Sequence, residues 1–592
     1  MALEGERIML AVLGKLRWFF RLEWKRYSIA IPLLIFAGFL EIIPPKLLGD
    51  TIDSIQQGTL MRAGLNETIL WFVGITLLAY IVNYTWMYRL FGGAFVVERM
   101  LRSMFMRHLL RMTPSFYEKN RTGDLMARAT NDLKDVSMTV GFGIMTLIDS
   151  TTWTLTLVVV MGMLISWKLT LAALLPLPVL AFCIQLYGGW IHKRFKAAQD
   201  AFGEMNDGVL ETVSGVRVTR AYVQERAVER RFAEVTRDVL DKNIAVARID
   251  ALFEPTVKMV VGISYLIGLG YGAYLVIHNE LTVGALITFN VYLGMLIWPM
   301  FALGELINIM QRGNASLDRV NDTLAYEPDV TEASDPIRLD KPGDIRFERV
   351  TFRYPSSESD NLRDIQLHIK EGETLGIVGR TGSGKTTLLK QLLREYPMGA
   401  GSIAVSGVPL EKLAFDDLKR WIGYVPQSPF LFSRSVRSNI LFAEGERGAE
   451  RLDQAIDMSA FHKDLEFLPR GLDTLVGERG VALSGGQKQR ISMARALLGD
   501  RHILLLDDAL SAVDAKTEAE IVANIRRSRK GKTTLIVTHR ISAVRHADHI
   551  IVLDEGRIAE EGTHEELLSR NGWYREQYDR QQAEARLADD EA

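Results

Sequence analysis

The chain has 592 residues, a formal net charge of −2, 48% hydrophobic residues and a single cysteine, Cys183. A near-neutral chain without a long basic run does not favour nucleic acid as a partner, and one cysteine excludes an intrachain disulfide or a cysteine zinc site. The length allows several domains, and the apolar fraction indicates that a membrane part is joined to a soluble part.

The first 325 residues are predicted to form a transmembrane domain. Residues 8–22 have the pattern of an amphipathic helix on the membrane surface, and the N-terminus lacks the basic-then-apolar pattern of a removable signal peptide. A spanning helix needs about 20 mainly apolar residues. Six stretches meet this requirement: 27–48, a stretch that starts near 68, 140–164, 169–190, 256–277 and 282–304.

Basic residues and helix breakers orient these spans. Basic residues cluster before the first span and after the second and fourth, so the positive-inside bias places both termini in the cytoplasm. The cytoplasmic stretches 90–137 and 192–250 mostly lack helix breakers, which predicts two long helical hairpins below the membrane. Each stretch is interrupted once, at 113–117 and at 213–216, where we expect the turns of the hairpins.

Several polar or adaptable side chains lie within or near the predicted spans. Charge inside a bilayer is costly and often marks a pathway, and methionine and aromatic side chains suit an adaptable apolar pocket. The candidate substrate pathway comprises Glu41, Met295, Trp298, Met300, Phe301 and Glu305. These side chains are also compatible with interfacial positions, structural pairing or ordinary helix packing. Lys46, Asp149 and Lys258 also lie within or near the spans, and for these three a structural role is the favoured interpretation.

The character of the sequence changes after the last span. Residues 326–343 are polar and contain several prolines, which predicts a linker. From 344 to 580, short β-rich runs alternate with helical ones, as in a parallel α/β domain. Residues 581–592 are charged, and we expect this tail to be frayed.

A glycine-rich loop follows the predicted buried strand 375–378. Residues 379–386 match G-x-x-x-x-G-K-T, in which backbone N–H groups wrap the phosphates of a nucleotide, Lys385 adds a positive charge and Thr386 offers a hydroxyl to Mg²⁺. The next helix would direct its N-terminus at the phosphates. The predicted phosphate-binding residues are Gly379, Arg380, Thr381, Gly382, Ser383, Gly384, Lys385, Thr386 and Thr387.

A second carboxylate motif follows the apolar run 503–506. Asp507 closes this run, and a carboxylate at the end of a buried strand holds Mg²⁺ directly or through water in phosphate-loop enzymes. Asp507 and Thr386 together therefore predict a site for Mg-ATP.

In their order along the chain, these motifs resemble those of ATP-binding cassette (ABC) exporters, and the resemblance covers about residues 10–580. It implies a type IV exporter fold, in which a six-span α-helical transmembrane domain with cytoplasmic extensions is fused to an α/β phosphate-loop domain. The interruptions at 113–117 and 213–216 would be its coupling helices, and residues 476–480 resemble a loop peculiar to exporters. The resemblance also implies that Tyr354 stacks on adenine, that Gln427 senses Mg²⁺ and the membrane domain, and that His539 is the switch histidine. The other site residues it implies are the signature Leu483, Ser484, Gly485, Gly486 and Gln487 and the dimer-crossing segment with Ser511 and Asp514.

The signature motif has a physical role only in a dimer. Ser484 and the following glycines would begin a helix whose N-terminus binds the γ-phosphate held by the opposite subunit. The resemblance therefore implies two composite ATP sites, each shared between two subunits.

One residue departs from the family pattern. Position 508 carries aspartate where the family has a glutamate that orients the attacking water. Aspartate lacks one methylene, a difference of about 1.5 Å, and a misplacement of about 1 Å can reduce the rate roughly 100-fold. We expect slow or absent hydrolysis at this chain's own site, with Asp508, His539 and Gln427 as its catalytic residues. The milder alternative is a small backbone shift that brings Asp508 to the water.

The chain most resembles the BmrC-type subunit of the BmrC/BmrD type of heterodimeric bacterial multidrug exporter. This resemblance implies ATP-driven efflux of amphiphilic drugs across the bacterial inner membrane, with ATP and Mg²⁺ as cofactors. Its expected partners are membrane lipids and a second half-transporter that carries the glutamate. The alternatives are a homodimeric lipid or peptide exporter with slow turnover and an ATP-regulated membrane subunit that does not pump.

Overall fold

The computed structural model describes residues 11–477 and 481–590. The chain forms two compact units, one made of residues up to 109 together with 123–326, and the other of 110–122 together with 327–592.

Residues 11–324 are almost wholly helical. Residues 11–15 are helical, and four π-helical turns at Arg128–Asp132, Thr139–Gly143, Asp149–Trp153 and Gly162–Ser166 separate the α-helical segments between 122 and 174. The α-helices in chain order are α1 (Arg17–Leu22), α2 (Trp24–Gln56), α3 (Arg62–Leu109), α4 (Pro114–Lys119), α5 (Thr122–Ala127), α6 (Leu133–Met138), α7 (Ile144–Ile148), α8 (Thr154–Met161), α9 (Trp167–Leu174), α10 (Leu177–Ser214), α11 (Val216–Ala221), α12 (Glu225–Ile277), α13 (Val283–Met295) and α14 (Ile297–Leu324).

Within the described residues, five helices are long and apolar enough to cross a membrane, by length and composition. They are Trp24–Gln56, Arg62–Leu109, Thr122–Leu174, Glu225–Ile277 and Val283–Leu324. The predicted fourth span, 169–190, is not among them because the helix stops after Leu174 and restarts at Leu177. Pro176 stands at this break, and a proline lacks the N–H group that would continue the helical hydrogen bonds.

Both predicted interruptions of the cytoplasmic hairpins coincide with helix ends. The helix α3 ends at Leu109, and α4 begins at Pro114, where proline occupies the first helical position. The second interruption falls at Gly215, between the end of α10 and the start of α11.

Small residues allow two helices of the first unit to touch backbone to backbone. At the crossing of α2 and α13, a Cβ added to Gly284 would lie 1.9 Å from the carbonyl oxygen of Gly49. The Gly284 N–H donates to Asp53 Oδ1 at 2.7 Å, and Thr288 Oγ1 donates to the Pro45 carbonyl at 3.1 Å. Interhelical polar bonds of this kind stabilise helix pairs in an apolar setting.

The second unit combines two sheets with helices, in agreement with the predicted α/β domain. A four-stranded antiparallel sheet has the order β2-β1-β4-β5, and a six-stranded sheet has the order β10-β9-β3-β8-β7-β6, parallel except for β10. The strands are β1 (Ile345–Phe352), β2 (Leu362–Ile369), β3 (Thr374–Gly379), β4 (Ala400–Val405), β5 (Val408–Pro409), β6 (Ile422–Val425), β7 (Ile503–Asp507), β8 (Thr533–Val537), β9 (His549–Asp554) and β10 (Arg557–Gly562). The helices are α15 (Lys385–Leu392), α16 (Phe415–Trp421), α17 (Val436–Ile440), α18 (Leu452–Met458), α19 (His462–Leu465), α20 (Gly485–Leu498), α21 (Ala515–Ser528), α22 (His564–Ser569) and α23 (Trp573–Asp590).

The register of the parallel strands brings the chemical motifs to one edge of the sheet. Val537 on the central strand β8 pairs with Ile377 on β3 and with Asp507 on β7, and Val425 on β6 pairs with Leu506. The carboxyl ends of β3, β8, β7 and β6 therefore lie side by side. Ligands of open parallel sheets bind at this edge.

The prediction of a frayed tail from residue 581 is wrong. The helix α23 begins at Trp573 and continues to Asp590. Tyr574 is fully buried in the second unit, and Gln581 is hydrogen-bonded to the loop after β8. Charged composition indicated a solvated tail, but these long-range contacts hold the helix in place.

Candidate active site

The loop between β3 and α15 has the geometry of a phosphate cradle. Gly382 and Gly384 have φ values of +80° and +102°, which favour glycine, and a Cβ on Gly384 would lie 2.6 Å from the Asn361 carbonyl oxygen. Lys385 Nζ donates to the carbonyls of Gly379 and Arg380, at 2.9 and 2.8 Å. The loop is thus folded around the ammonium group of its own lysine.

Burial shifts the ionisation of this lysine. Desolvation lowers the pKa of Lys385 to about 8, against the opposing attraction of Asp508 and Asp507. A phosphate chain beside the ammonium group would favour its charged form. The side chain is therefore suited to bind a polyanion, as the sequence predicts.

The two predicted Mg²⁺ ligands lie next to each other. Thr386 Oγ1 donates to Asp507 Oδ1 at 2.8 Å, and Tyr424 Oη donates to Asp507 Oδ2 at 3.4 Å. Burial raises the pKa of Asp507, partly offset by these two hydrogen bonds. Among the residues the structure describes, no group of three or more His, Cys, Asp or Glu side chains could hold a metal ion alone. A cation at Thr386 and Asp507 would thus need further oxygen ligands from nucleotide and water.

Asp508 occupies a constrained position directly after β7. Its φ is +48°, a left-handed conformation that aspartate adopts more readily than most residues. Its N–H donates to the Val537 carbonyl at 2.8 Å, and its own carbonyl accepts a bond from Ser511 Oγ at 2.8 Å. The backbone is therefore held on both sides of this residue.

His539 lies two residues beyond the end of β8 and faces the phosphate loop. Its half-buried ring lies close to the backbone of Gly379. Burial and the nearby charge of Lys385 lower the pKa of His539, against the opposing effects of Asp508 and the Gly379 backbone. The imidazole is thus mainly neutral at neutral pH and can act as a hydrogen-bonding group on a phosphate oxygen.

The predicted adenine-stacking residue, Tyr354, belongs to an aromatic cluster. Its hydroxyl donates to Thr387 Oγ1 at 3.1 Å, and its ring meets Tyr396 edge to face with centroids 4.9 Å apart. Lys390 Nζ lies 5.6 Å from the centroid of the Tyr354 ring. The Tyr396 hydroxyl donates to Glu118 on α4, so the first interruption of the hairpins contacts this cluster within the second unit.

The signature motif forms the start of α20. Ser484 and Gln487 make a reciprocal capping box, in which the Gln487 N–H donates to Ser484 Oγ at 3.3 Å and the Ser484 N–H donates to Gln487 Oε1 at 3.0 Å. Ser484 and Gly485 are exposed, while Gly486 is buried against Ala512. Leu483 is half-buried at the edge of an apolar cluster. The N-terminus of this helix is therefore an exposed anion-binding end.

The dimer-crossing segment is tied to the signature helix by a residue that the sequence did not single out. Gln489 Oε1 accepts the Ala512 N–H at 3.1 Å, and Gln489 Nε2 donates to Ser511 Oγ at 3.3 Å. Asp514 caps α21 by accepting the Thr517 N–H at 2.9 Å. Hydrogen bonds from Thr517 lower the pKa of Asp514.

The remaining predicted motifs are less fully defined. Gln427 is exposed and follows β6 by two residues, at the same sheet edge as Asp507. Arg380 and Thr381 are exposed in the phosphate loop, and Ser383 is buried there. In the predicted exporter loop, residues 478–480 lie outside the described residues.

Two of the predicted pathway residues line one cavity of the first unit. Glu41 on α2 and Trp298 on α14 face a space of about 230 Å³, together with Trp86, Asp149 and Trp153. Trp298 Nε1 donates to Asp149 Oδ2 at 3.3 Å. Asp149, which the sequence assigned to a structural role, therefore belongs to the same cluster as Glu41.

The other predicted pathway residues lie elsewhere in the first unit. Met300 and Phe301 face a small apolar pocket between α10, α12 and α14. Met295 packs against an apolar core cluster. Glu305 is exposed and lies 3.8 Å from Arg312. The six side chains thus do not form one continuous lining.

Two family models match the chain. Residues 27–300 match the ABC transporter transmembrane region, and residues 362–511 match the ABC transporter model. These ranges cover most of the spanning helices of the first unit and, in the second unit, the phosphate loop, the signature and Asp507.

Similar proteins match nearly the whole chain. The probable multidrug resistance ABC transporter ATP-binding/permease protein YheI of Bacillus subtilis (strain 168) is 62% identical over 97% of this chain and 98% of its own length. The multidrug resistance-like ATP-binding protein MdlA of Escherichia coli (strain K12) is 41% identical over 98% of both chains. An ATP-dependent lipid A-core flippase of Syntrophus aciditrophicus (strain SB) is 32% identical over 93% of this chain and 91% of its own.

A solved structure shows the same fold. A bacterial Atm1-family ABC exporter with ATP bound superposes with a TM-score of 0.77, with 24% identity over 94% of this chain and 99% of that one. The predicted type IV exporter fold is thereby confirmed, as is the predicted ATPase domain. The chain belongs to the ABC transporter family, as an exporter-type protein in which a helical transmembrane domain is fused to an ABC ATPase that drives transport.

Proposed function

We propose that this chain is one half of a heterodimeric exporter of amphiphilic drugs and that its own ATP site hydrolyses slowly. The observation that carries the proposal is Asp508, which stands one methylene short at the position of the water-orienting carboxylate. The partner would carry glutamate at that position and receive the signature helix of this chain. Hydrolysis would then occur mainly at the composite site that uses the partner's phosphate loop.

The backbone geometry argues against the milder alternative, in which Asp508 moves toward the water. Its N–H is bonded to Val537 on the central strand, and its carbonyl is bonded to Ser511 Oγ. A shift of about 1.5 Å would break both bonds, each with a net contribution of about 1 kcal/mol. The carboxylate of Asp508 is therefore not expected to reach the attacking water that a glutamate would reach.

The rest of the site supports nucleotide binding without rapid hydrolysis. Lys385, Thr386 and Asp507 retain the contacts that a Mg-ATP complex needs, with the ion held by Thr386 Oγ1, Asp507 and nucleotide oxygens. Gln427 would add a ligand or a water contact from the neighbouring strand end. When bound, Mg²⁺ would neutralise charge on the β- and γ-phosphates. ATP at this site would then hold the dimer together.

The intact signature supports a role in the partner's site. Ser484 and Gln487 complete their capping box, and the end of the helix is exposed. The γ-phosphate on the opposite phosphate loop would accept hydrogen bonds there, strengthened by the helix dipole.

Drugs as substrates are supported by two observations. The relatives at 62% and 41% identity are named for multidrug resistance. The cavity at Glu41 combines two carboxylates with tryptophan rings, and both groups attract cations while the rings also accept apolar surfaces. A cationic amphiphile suits this combination, and Met295, Met300, Phe301 and Glu305 would contribute at other stages of the pathway.

We also propose the placement of the domains in the cell. Residues 1–325 would form the transmembrane domain in a bacterial inner membrane, and residues 326–343 would form the linker. Residues 344–580 would form the nucleotide-binding domain on the cytoplasmic side. The short helices α4 and α11 would act as its two coupling helices. The cluster of basic residues around the cytoplasmic hairpins supports this orientation.

A homodimeric lipid exporter is the second candidate. A lipid A-core flippase is 32% identical over 93% of the chain, and one chain carries the phosphate loop, Asp507, Ser484 and His539 together. In a homodimer, Asp508 would be the working carboxylate in both sites. A regulatory subunit that does not pump is less well supported, because the signature is useful only for binding ATP between subunits.

The test compares carboxylates of different length at position 508. The full chain, purified with the partner that accompanies it in its own membrane, is assayed for Mg-ATP turnover as Asp508→Glu and as Asp508→Asn. We expect Asp508→Glu to raise turnover, because the added methylene restores the reach. Asp508→Asn should leave turnover unchanged, because most hydrolysis takes place in the other site.

The opposite pattern would refute the heterodimer proposal. If Asp508→Asn abolishes turnover, Asp508 is the working carboxylate, as the homodimer requires. The native mass of the complex separates the two cases independently: one copy of this chain with a different ABC subunit supports the proposal, and two copies of this chain contradict it.

A further inference from the structure

The C-terminal helix α23 is packed beside the loop that carries His539. Tyr574, in its first turn, is 0% exposed and shares an apolar cluster with Ile541. Tyr578 packs on the same cluster one turn later. These contacts bring the next turn of the helix, with Gln581, to the backbone of the loop.

The side-chain amide of Gln581 makes two hydrogen bonds to that backbone. Its Nε2 donates to the His539 carbonyl at 2.8 Å, and its Oε1 accepts the Ile541 N–H at 2.9 Å. A carbonyl can only accept and an amide N–H can only donate, so the orientation of the glutamine amide is defined by its partners. Gln581 therefore pairs with the loop as the backbone of a neighbouring strand would.

The two hydrogen bonds are made to the peptide groups directly before and after Arg540. The Arg540 guanidinium donates to the carbonyls of Val513 and Ser511, at 3.0 and 3.2 Å, in the segment that precedes Asp514. It also donates to buried Glu518 at 2.6 Å. By fixing the peptide groups before and after Arg540, Gln581 limits the directions in which this guanidinium can point.

The same bonds also fix the residue before Arg540. The half-buried ring of His539 lies close to Lys385 and to the backbone of Gly379 at the start of the phosphate loop. Its carbonyl, at the other end of the residue, is held by Gln581. The side chain of His539 therefore faces the phosphate loop, and that of Arg540 binds the dimer-crossing segment. Gln581 holds the backbone that carries both side chains.

We propose that Gln581 is a positioning residue for ATP hydrolysis, which acts from the C-terminal helix by holding residues 539–541 in register. It touches neither nucleotide nor metal. Its effect is transmitted by His539 to the phosphate loop and by Arg540 to the Ser511–Asp514 segment. This inference concerns hydrolysis at this chain's own phosphate loop, which the proposed function describes as slow, and it does not depend on the substrate.

The physical reason for such a clamp is the loop's lack of regular pairing. β8 ends at Val537, and the loop turns at Ile541–Ala543, so residues 539 and 540 belong to neither element. Without Gln581, the Ile541 N–H would lose a hydrogen bond in a residue that is 1% exposed. The loop would then gain freedom at the point where a displacement of about 1 Å can change a rate roughly 100-fold.

The experiment compares Gln581→Ala with Gln582→Ala in the full chain, reconstituted in its membrane complex and supplied with Mg-ATP. Gln582 is the next residue on the same helix, and it is exposed. Turnover at this chain's own site is read in an Asp508→Glu chain as the kcat in excess of that of Asp508→Asn. For Gln581→Ala we expect this kcat to fall roughly tenfold with little change in KM for ATP, since the loop acts on hydrolysis more than on ground-state binding. Gln582→Ala should retain the native kcat and KM.

A second comparison separates positioning from general stabilisation. In a chain that carries both His539→Ala and Arg540→Ala, the loop has no side chain left to position, so Gln581→Ala should cause no further loss of kcat. Single-turnover hydrolysis with protein in excess resolves the slow rates of these variants. If the chain with both substitutions does not fold, Gln581→Ala is tested in a chain that carries His539→Ala alone.

Three results would overturn the proposal. A native kcat for Gln581→Ala means that the clamp is not needed. An equal loss for Gln581→Ala and Gln582→Ala means that the helix acts only as a whole. A further loss of full size in the His539→Ala and Arg540→Ala background means that Gln581 acts by stabilising the fold, not by positioning this loop.

Discussion

Raising the pH should weaken ATP binding at the phosphate loop through Lys385. Desolvation lowers the pKa of this ammonium group to about 8, from 10.5 in an exposed lysine. The phosphates of ATP would stabilise its charged form, so nucleotide binding above pH 8 requires the uptake of a proton. If the bound state keeps the lysine charged, affinity should decrease about tenfold between pH 7 and pH 9.

The effect on folding has the opposite sign. The pKa of Lys385 is lower in the folded chain than in the unfolded chain, so the unfolded chain binds more protons between about pH 8 and pH 10.5. Over this interval, Lys385 adds to the stability of the nucleotide-free fold as pH rises. ATP affinity and the unfolding free energy should therefore move in opposite directions, which distinguishes this lysine from general alkaline denaturation.

The assay is equilibrium binding of ATP without divalent cations at pH 7, 8 and 9. Ionic strength is held constant because salt screens the attraction between lysine and phosphate. The matched control is Lys385→Arg, since a guanidinium stays charged throughout this range. A native affinity that does not change between pH 7 and pH 9, or a decrease of equal size in Lys385→Arg, would refute the reasoning.

Two further predictions test other contacts of the structure. Thr386→Val keeps the shape of the side chain but removes the hydroxyl that lies 2.8 Å from Asp507 Oδ1. Binding of ATP to this chain's site in EDTA should be retained, while the gain in its affinity on addition of Mg²⁺ should be lost, as equilibrium binding of ATP along a Mg²⁺ titration would show. Gly284→Ala would place a Cβ 1.9 Å from the Gly49 carbonyl oxygen, and such overpacking costs about 1–3 kcal/mol or more. Thermal unfolding should therefore occur at lower temperature for Gly284→Ala than for Gly262→Ala, where nothing lies within 4 Å of an added Cβ.

The active-site edge was predictable because its motifs are local. The glycine loop, the strand-ending carboxylate at Asp507 and the capping pair Ser484 and Gln487 each consist of neighbouring residues whose types reflect a backbone requirement. In a parallel sheet, the motifs that follow the strands meet at one edge. Short-range pattern and sheet topology were therefore enough to bring Thr386 to Asp507.

The long-range contacts were not predictable from local pattern. Gln489 and Gln581 are ordinary helix residues in the sequence, and their roles depend on loops 22 and 42 positions away. The predicted fourth membrane span, 169–190, is not one continuous helix. The prediction rested on the apolar character of these residues and did not account for the break at Pro176. Likewise, the tail from Gln581 was assigned by its charge, although two hydrogen bonds and the burial of Tyr574 determine its structure.

The position of Asp508 explains how one site could lose hydrolysis and keep its other roles. Ser511 Oγ donates to the Asp508 carbonyl, and the Ser511 carbonyl accepts a bond from Arg540. The catalytic position, the dimer-crossing segment and the His539 loop are therefore joined by side-chain hydrogen bonds to backbone carbonyls. Exchange of glutamate for aspartate shortens a side chain without altering any of these bonds. A site changed in this way would still bind ATP and transmit its presence to the partner's site, while only the reach to the attacking water is lost.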